Sequence, residues 1–166
     1  VSKIIVGVMG PGATASREQV EAARELGRLI AGEGWVLLTG GRAAGVMDAA
    51  THGARAAGGL TVGILPGEEA GGASEAVDIL ILTGMGQARN NVNVLSSRVV
   101  VACGMGAGTA AEVALALKAR RPVVLLGAGP QAEALFERLG GELIQTAESP
   151  RHAIELVRGL LSEGEV

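Results

Sequence analysis

Aromatic side chains are almost missing from this sequence: Trp35 and Phe136 are the only two in 166 residues. A protein that grips single-stranded nucleic acid by stacking bases needs a platform of such rings, so that class is excluded. Positive charge is not in surplus either, since 17 Asp and Glu outweigh 14 Lys and Arg. A duplex binder takes most of its affinity from neutralised phosphates, and this balance runs the other way. Cys103 is the single cysteine. It permits no internal disulfide and gives no sign of an oxidising compartment. His52 and His152 are the only histidines, and no Cys/His spacing suits a zinc site.

Long hydrophobic runs are scarce as well. Residues 99–117 come nearest, but three glycines and Glu112 interrupt them. A charge near a membrane centre costs about 2.5–3.5 kcal/mol on insertion scales, so the stretch reads as strand, loop and buried helix. Val1-Ser2-Lys3-Ile4 runs straight into a strand pattern with no signal or transit peptide, and a cytoplasmic location is the expectation. What is present is apolar bulk, 48% of the chain against 19% charged residues, which excludes disorder. A single ligand-binding domain over residues 1–166 is expected.

Short β-branched runs alternate with helical stretches. Residues 3–9, 35–41, 60–66, 77–83, 98–103, 122–127 and, more weakly, 142–146 read as strands. The first is apolar without alternation, as a strand covered on both faces should be. Ser16 with Gln19 makes a capping box for the first helix, whose apolar stripe runs through Val20, Ala23, Leu26 and Ile30. Further helices are expected over residues 44–57, 85–97 and 110–119. Ser149-Pro150 starts a final helix with Ile154, Val157 and Leu161 on one face. This β-α alternation predicts an α/β, Rossmann-like doubly wound fold, with a mainly parallel sheet and helices on both faces. Ligands of such sheets bind outside the carboxyl ends of the strands.

Glycines gather at those ends. The connections are Gly10-Pro11-Gly12, Thr39-Gly40-Gly41-Arg42 with Gly45 beyond, Leu65-Pro66-Gly67, and Gly104-Met105-Gly106-Ala107-Gly108-Thr109. Glycine lets backbone N–H groups approach an anion, and a following helix N-terminus adds about half a positive charge. Phosphate or another anion is therefore the expected ligand group. A dinucleotide is not. Residues 10–15, GPGATA, fit the glycine fingerprint, but the acid that should hold the ribose is replaced by Thr39-Gly40-Gly41-Arg42. No lysine follows the glycines as an ATPase P-loop requires.

Two charged groups stand out among these loops. Arg89 lies among the amides Asn90, Asn91 and Asn93, and its fork of donors suits phosphate. Glu112 lies one turn into an otherwise apolar helix; it is either a carboxylate placed for the helix dipole or a ligand-facing group. Cys103 reads as a small buried hydrophobe. The helix over residues 110–119 is apolar almost all round, which calls for cover on both sides and hence for a homo-oligomer.

Four stretches, IIVGVMGPG, GWVLLTGGRAAGVMDAATHGARAAGG, TVGILPG and ARNNVNVLSSRVVVACGMGAGTAAEVALALKARRPVVLLG, closely resemble the molybdenum cofactor carrier proteins of algae and cyanobacteria. The similarity runs in order from about residue 4 to residue 128. It implies a homotetramer that carries the molybdenum cofactor, a pterin dithiolene with a terminal phosphate, and delivers it to recipient molybdoenzymes. The phosphate would sit on Gly104, Met105, Gly106, Gly108 and Thr109. Thr39, Arg42, Asn90 and Asn93 would serve the pterin edges, and the metal would keep the cofactor's own sulfurs, with no protein ligand. More distantly, the chain is similar to the lysine decarboxylase-like superfamily and its cytokinin-activating phosphoribohydrolases of the Lonely Guy type. Arg89 and Glu112 match that family's catalytic pair. Gly104 and Met105, however, replace the first Pro and Gly of its P-G-G-x-G-T-x-x-E motif, and Asn90 replaces its lysine. A nucleoside 5′-monophosphate hydrolase and a sensor of another phosphorylated metabolite remain the alternatives.

Overall fold

A computed structural model describes residues 2–163. Its centre is one sheet of seven parallel strands: β1 (Ile5–Met9), β2 (Val36–Thr39), β3 (Thr61–Leu65), β4 (Ile79–Leu82), β5 (Val99–Cys103), β6 (Val123–Leu126) and β7 (Ile144–Ala147). The order across the sheet is β4-β3-β2-β1-β5-β6-β7. Parallel pairing joins Gly7 with Leu38 on one side and with Val100 on the other, so β1 and β5 lie at the middle. β2, β5 and β6 are buried along their whole lengths, which is why they read as unbroken apolar runs.

Six helices cover the two faces: α1 (Arg17–Gly32), α2 (Gly45–Ala56), α3 (Arg89–Ser96), α4 (Ala107–Lys118), α5 (Pro130–Gly140) and α6 (Pro150–Glu163). One core cluster packs α1, α2 and α6 on the sheet through Leu26, Ile30, Val46, Ile154 and Val157; the other packs α3, α4 and α5 through Val94, Val113, Ala116 and Phe136. Each fully buried Leu, Ile or Val contributes about 1.5–3 kcal/mol over its exposed state. Helices α1 and α2 touch backbone to backbone. A side chain on Gly27 would strike the Ala50 carbonyl, and one on Gly53 the Arg24 carbonyl.

The first helix begins as its sequence dictates: Gln19 N–H donates to Ser16 Oγ at 3.2 Å, and Ser16 N–H to Gln19 Oε1 at 3.0 Å. Ser149 caps α6 in the same way, accepting from His152 N–H at 3.2 Å. Three elements differ from expectation. The fourth strand is only Ile79–Leu82, because the Asp78 carboxylate accepts from Thr61 N–H and Thr83 turns back on the Leu65 carbonyl, which closes the ladder at both ends. The helix expected from residue 85 starts as a 3-10 turn, Gly86–Ala88, before α3. Helix α5 was not foreseen. It buries only Phe136, although Ala132, Leu135, Phe136 and Leu139 stand at helical spacing along it, with Leu135 and Leu139 left exposed.

Among the described residues no helix is long and apolar enough to cross a membrane. The hydrophobic stretch at 99–117 is β5, a turn and α4.

Candidate functional site

Because every strand is parallel, all the glycine-rich connections leave the same edge of the sheet. Strand order reverses between β1 and β5, so their connections part to opposite faces and leave a crevice. A cavity of about 510 Å³ fills it. That is within the roughly 300–1,000 Å³ range of small-molecule sites. Its walls come from four connections. Gly10, Pro11, Gly12 and Thr14 follow β1; Arg42 follows β2, with Met47 in the first turn of α2; Pro66 follows β3; Gly106, Ala107, Gly108 and Thr109 follow β5. Gly86, Gln87, Arg89 and Asn90 add a further side, and Glu112 closes the floor.

The first-half glycines make room for one another's elements. Gly45 sits at φ +52°, and a side chain there would meet the Gly12 and Pro11 carbonyls. Its absence lets α2 press its N-terminus on the β1 connection, where Val46 N–H donates to Pro11 O at 3.0 Å. Gly40 is equally confined, with Arg89 Nη1 and Met47 Sδ standing where its Cβ would be.

The connection after β5 is different. Gly106 is the N-cap of α4 and offers no side-chain cap. The first-turn N–H groups of a helix have no partner within it, so those of Ala107, Gly108 and Thr109 face the cavity as open donors. Nothing stands within 4 Å of a Cβ placed on Gly108. With the helix dipole, this turn is a seat for negative charge.

Arg89 is buried and tied to the main chain. Its Nη1 donates to Gly40 O at 2.7 Å and to Ile64 O at 2.6 Å, which fastens α3 to the ends of β2 and β3. Burial lowers its pKa, with Glu112 opposing and Arg42 reinforcing that shift. The remaining guanidinium edge faces the cavity, where Arg42 is the second cation. Glu112 is 8% exposed and is the one carboxylate among the lining residues. Burial pushes it up to about 7, against the pull of an Asn93 hydrogen bond and the Arg89 charge. Asn93 Nδ2 donates to its Oε1 at 3.3 Å, while Asn93 Oδ1 is buried without a partner among the described residues.

Of the residues singled out from the sequence, the structure brings Gly10, Pro11, Gly12, Arg42, Arg89, Asn90, Gly106, Gly108, Thr109 and Glu112 to the cavity wall. Others stand behind it. Thr39 is fully buried, accepts from Gly41 N–H at 3.1 Å and faces Thr51 Oγ1. Asn93 supports Glu112 from beneath. Gly40, Gly41, Gly45, Gly104 and Met105 shape the turns without lining the space. Thr14, Met47, Gly86 and Gln87 line it and were not singled out; Pro66 and Ala107 belong to connections that were. Met47 had a signal, as a first-turn residue of the helix after β2. Cys103 is buried at the end of β5, its thiol pushed up to about 12 by burial, and is chemically quiet. Among the described residues no group of three His, Cys, Asp or Glu side chains converges as a metal site would require.

With this geometry in place, the comparisons with known proteins are informative. The family model LDcluster4, described as the SLOG cluster4 family, matches residues 3–154. The likeness therefore extends through α5, β7 and the start of α6. The solved molybdenum cofactor binding protein of the phototrophic bacterium Rippkaea orientalis shares 53% identity, with a TM-score of 0.95 over 96% of this chain and 98% of that one. The molybdenum cofactor carrier protein of Chlamydomonas reinhardtii shares 55% identity, with a TM-score of 0.93 over 97% and 99% of the two chains. A cytokinin riboside 5′-monophosphate phosphoribohydrolase of Mycobacterium tuberculosis is 49% identical over 49 residues, 30% of this chain and 26% of that protein.

Proposed function

The chain belongs to the SLOG cluster4 family, and we infer that it binds the molybdenum cofactor, holds it away from solvent and hands it to molybdoenzymes. The observation that carries this reading is the cavity's composition: an uncapped helix N-terminus and two guanidinium groups in a space large enough for a pterin. These groups fit the cargo. Its phosphate would rest on the Gly106–Thr109 turn, where open N–H donors and the dipole favour an anion. Arg42 would neutralise charge from the mouth, and Asn90 and Gln87 offer amides to the pterin's polar edges. The cargo brings its own sulfur ligands for the metal, so the protein's task is to orient and enclose it.

Purified protein loaded anaerobically with the cofactor tests this reading. After exposure to air, the loaded protein is expected to reconstitute an apo-molybdoenzyme, whereas free cofactor exposed in parallel does not. Equal loss in the two samples contradicts the carrier reading.

A second reading rests on Glu112. A carboxyl held up to about 7 beside Arg89 in one cavity is suited to acid–base work on a nucleoside monophosphate. Against it, Arg89 commits Nη1 to two main-chain carbonyls. Release of free base from AMP, abolished by Glu112→Ala, is the result that would put this reading first.

Self-association is part of the same proposal, in a tetramer as the resemblance implies. Ala107, Ala111 and Ala114 leave a smooth exposed face on α4, and Ile79, Ile81 and Leu82 are 41–46% exposed on the edge strand β4. Sedimentation at micromolar concentration is expected to show the tetramer; a monomer contradicts it.

A further inference from the structure

Glu112 is out of place by charge. The cavity collects two guanidinium groups and the open first turn of α4, all suited to an anion, yet Glu112 lines it too. It follows Thr109 by three residues on the same face of α4, about 4.5 Å further along the axis. Negative charge seated on the turn therefore arrives beside this carboxyl.

The Arg89 charge offsets only part of the cost of burying it, and no ion pair among the described residues neutralises it. The nearest cation, Arg89, directs Nη1 to the Gly40 and Ile64 carbonyls and forms no ion pair with Glu112. Arg42, on the connection after β2, is the other charged group lining the cavity. Asn93 from α3 donates one hydrogen bond to Oε1, and Oε2 has no partner among the described residues. An ionised Glu112 is thus desolvated, unpaired and repelled by the incoming ligand. A protonated Glu112 has an O–H to give it.

We propose that Glu112 is a ligand-binding residue in its neutral form: loading of an anion takes up one proton on its carboxylate, and the resulting O–H donates to the anion. The exchange is balanced, with carboxylate, proton and free anion giving carboxylic acid and bound anion. Burial prepares the group for this by holding its pKa at about 7 before any ligand arrives. Affinity for an anion is then flat on the acid side of that value and falls tenfold for each pH unit above it. A carrier built this way holds its cargo more tightly as pH drops and loosens it as pH rises.

The inference rests on reading the cavity as an anion site, and sulfate separates the two ideas. Sulfate stays a dianion throughout pH 5.5–9, so its own titration does not intrude. Calorimetric titration of the whole protein at constant ionic strength is expected to show the flat and falling limbs. Repeating it in two buffers of different ionisation enthalpy should give uptake approaching one proton per sulfate at pH 8.5 and near none at pH 5.5. Glu112→Gln, neutral at every pH and still a donor, should bind with the wild-type acid-limb affinity across the range and take up no proton. Wild-type affinity that does not change with pH, or a Glu112→Gln profile that still falls, overturns the role of Glu112 and leaves the anion site standing. Failure of the wild type to bind sulfate at any pH overturns the anion site, and the proposed function with it. The proton count needs no variant, so it decides the matter even if the substitution does not fold.

Discussion

The two halves of the sheet both place glycines at strand ends, and the most confined of those in the first half and the most open of those after β5 serve opposite purposes. In the first half Gly10, Gly40 and Gly45 are enclosed: the Cys103 carbonyl and Val46, the Arg89 and Met47 side chains, and the Pro11 and Gly12 carbonyls occupy the places a Cβ would take. These glycines let three connections close on one another and build a wall. After β5, Gly106 meets only the Pro11 ring at 3.8 Å, and Gly108 meets nothing. Here the missing side chains expose N–H groups to a ligand. Glycine-rich sequence marks both places alike, and only the neighbours decide whether it means packing or binding.

Substitutions at matched glycines should break the symmetry most plainly. Gly45→Ala places a side chain at positive φ against two carbonyls and should cost about 3 kcal/mol or more in chemical denaturation. Gly108→Ala adds a methyl in open space near the start of α4 and should leave stability unchanged or raise it by up to about 1 kcal/mol. Similar losses at the two positions would show that both loops are packing devices.

The two arginines sharpen the same contrast on a smaller scale. Arg89→Ala removes two charge-assisted hydrogen bonds to buried carbonyls, and a loss of about 3 kcal/mol is expected. Arg42 is exposed and makes no ion pair among the described residues, so Arg42→Ala should stay within about 0.5 kcal/mol of wild type. Both changes should weaken sulfate binding. Equal thermal stability of the two variants would remove Arg89 from the wall.

These contrasts also explain what the sequence could and could not reveal. The β-α alternation and the Ser16–Gln19 box are local signals, and the sheet and α1 followed from them. The reversal at β1 and β5 follows from the fold class, so the glycine connections could be placed on one crevice in advance. The buried partners could not be. That Arg89 spends Nη1 on Gly40, 49 residues earlier, is a tertiary fact with no local trace. Thr39 reads as a polar ligand group until Thr51, 12 residues on, is found facing it in the core. Helix α5 was legible as well, with Pro130 at its start and Ala132, Leu135, Phe136 and Leu139 at helical spacing, but it went unread. Met47 was missed for a simpler reason: apolar residues in a helix are read as core, although a first-turn position beside a crevice faces the ligand.

The central claim is that the first turn of α4, rather than the glycine turns of the first half, anchors the cargo. Gly108→Asp tests it directly. A carboxylate at this position suits the helix dipole and meets no neighbour, so the fold should persist, while its charge opposes an anion on the same turn. Wild-type and variant protein are loaded anaerobically with the molybdenum cofactor and passed through gel filtration, and the metal and pterin that co-elute are measured. The wild type is expected to retain the cofactor and a folded Gly108→Asp protein to emerge empty. A variant that retains as much cofactor as the wild type contradicts the account.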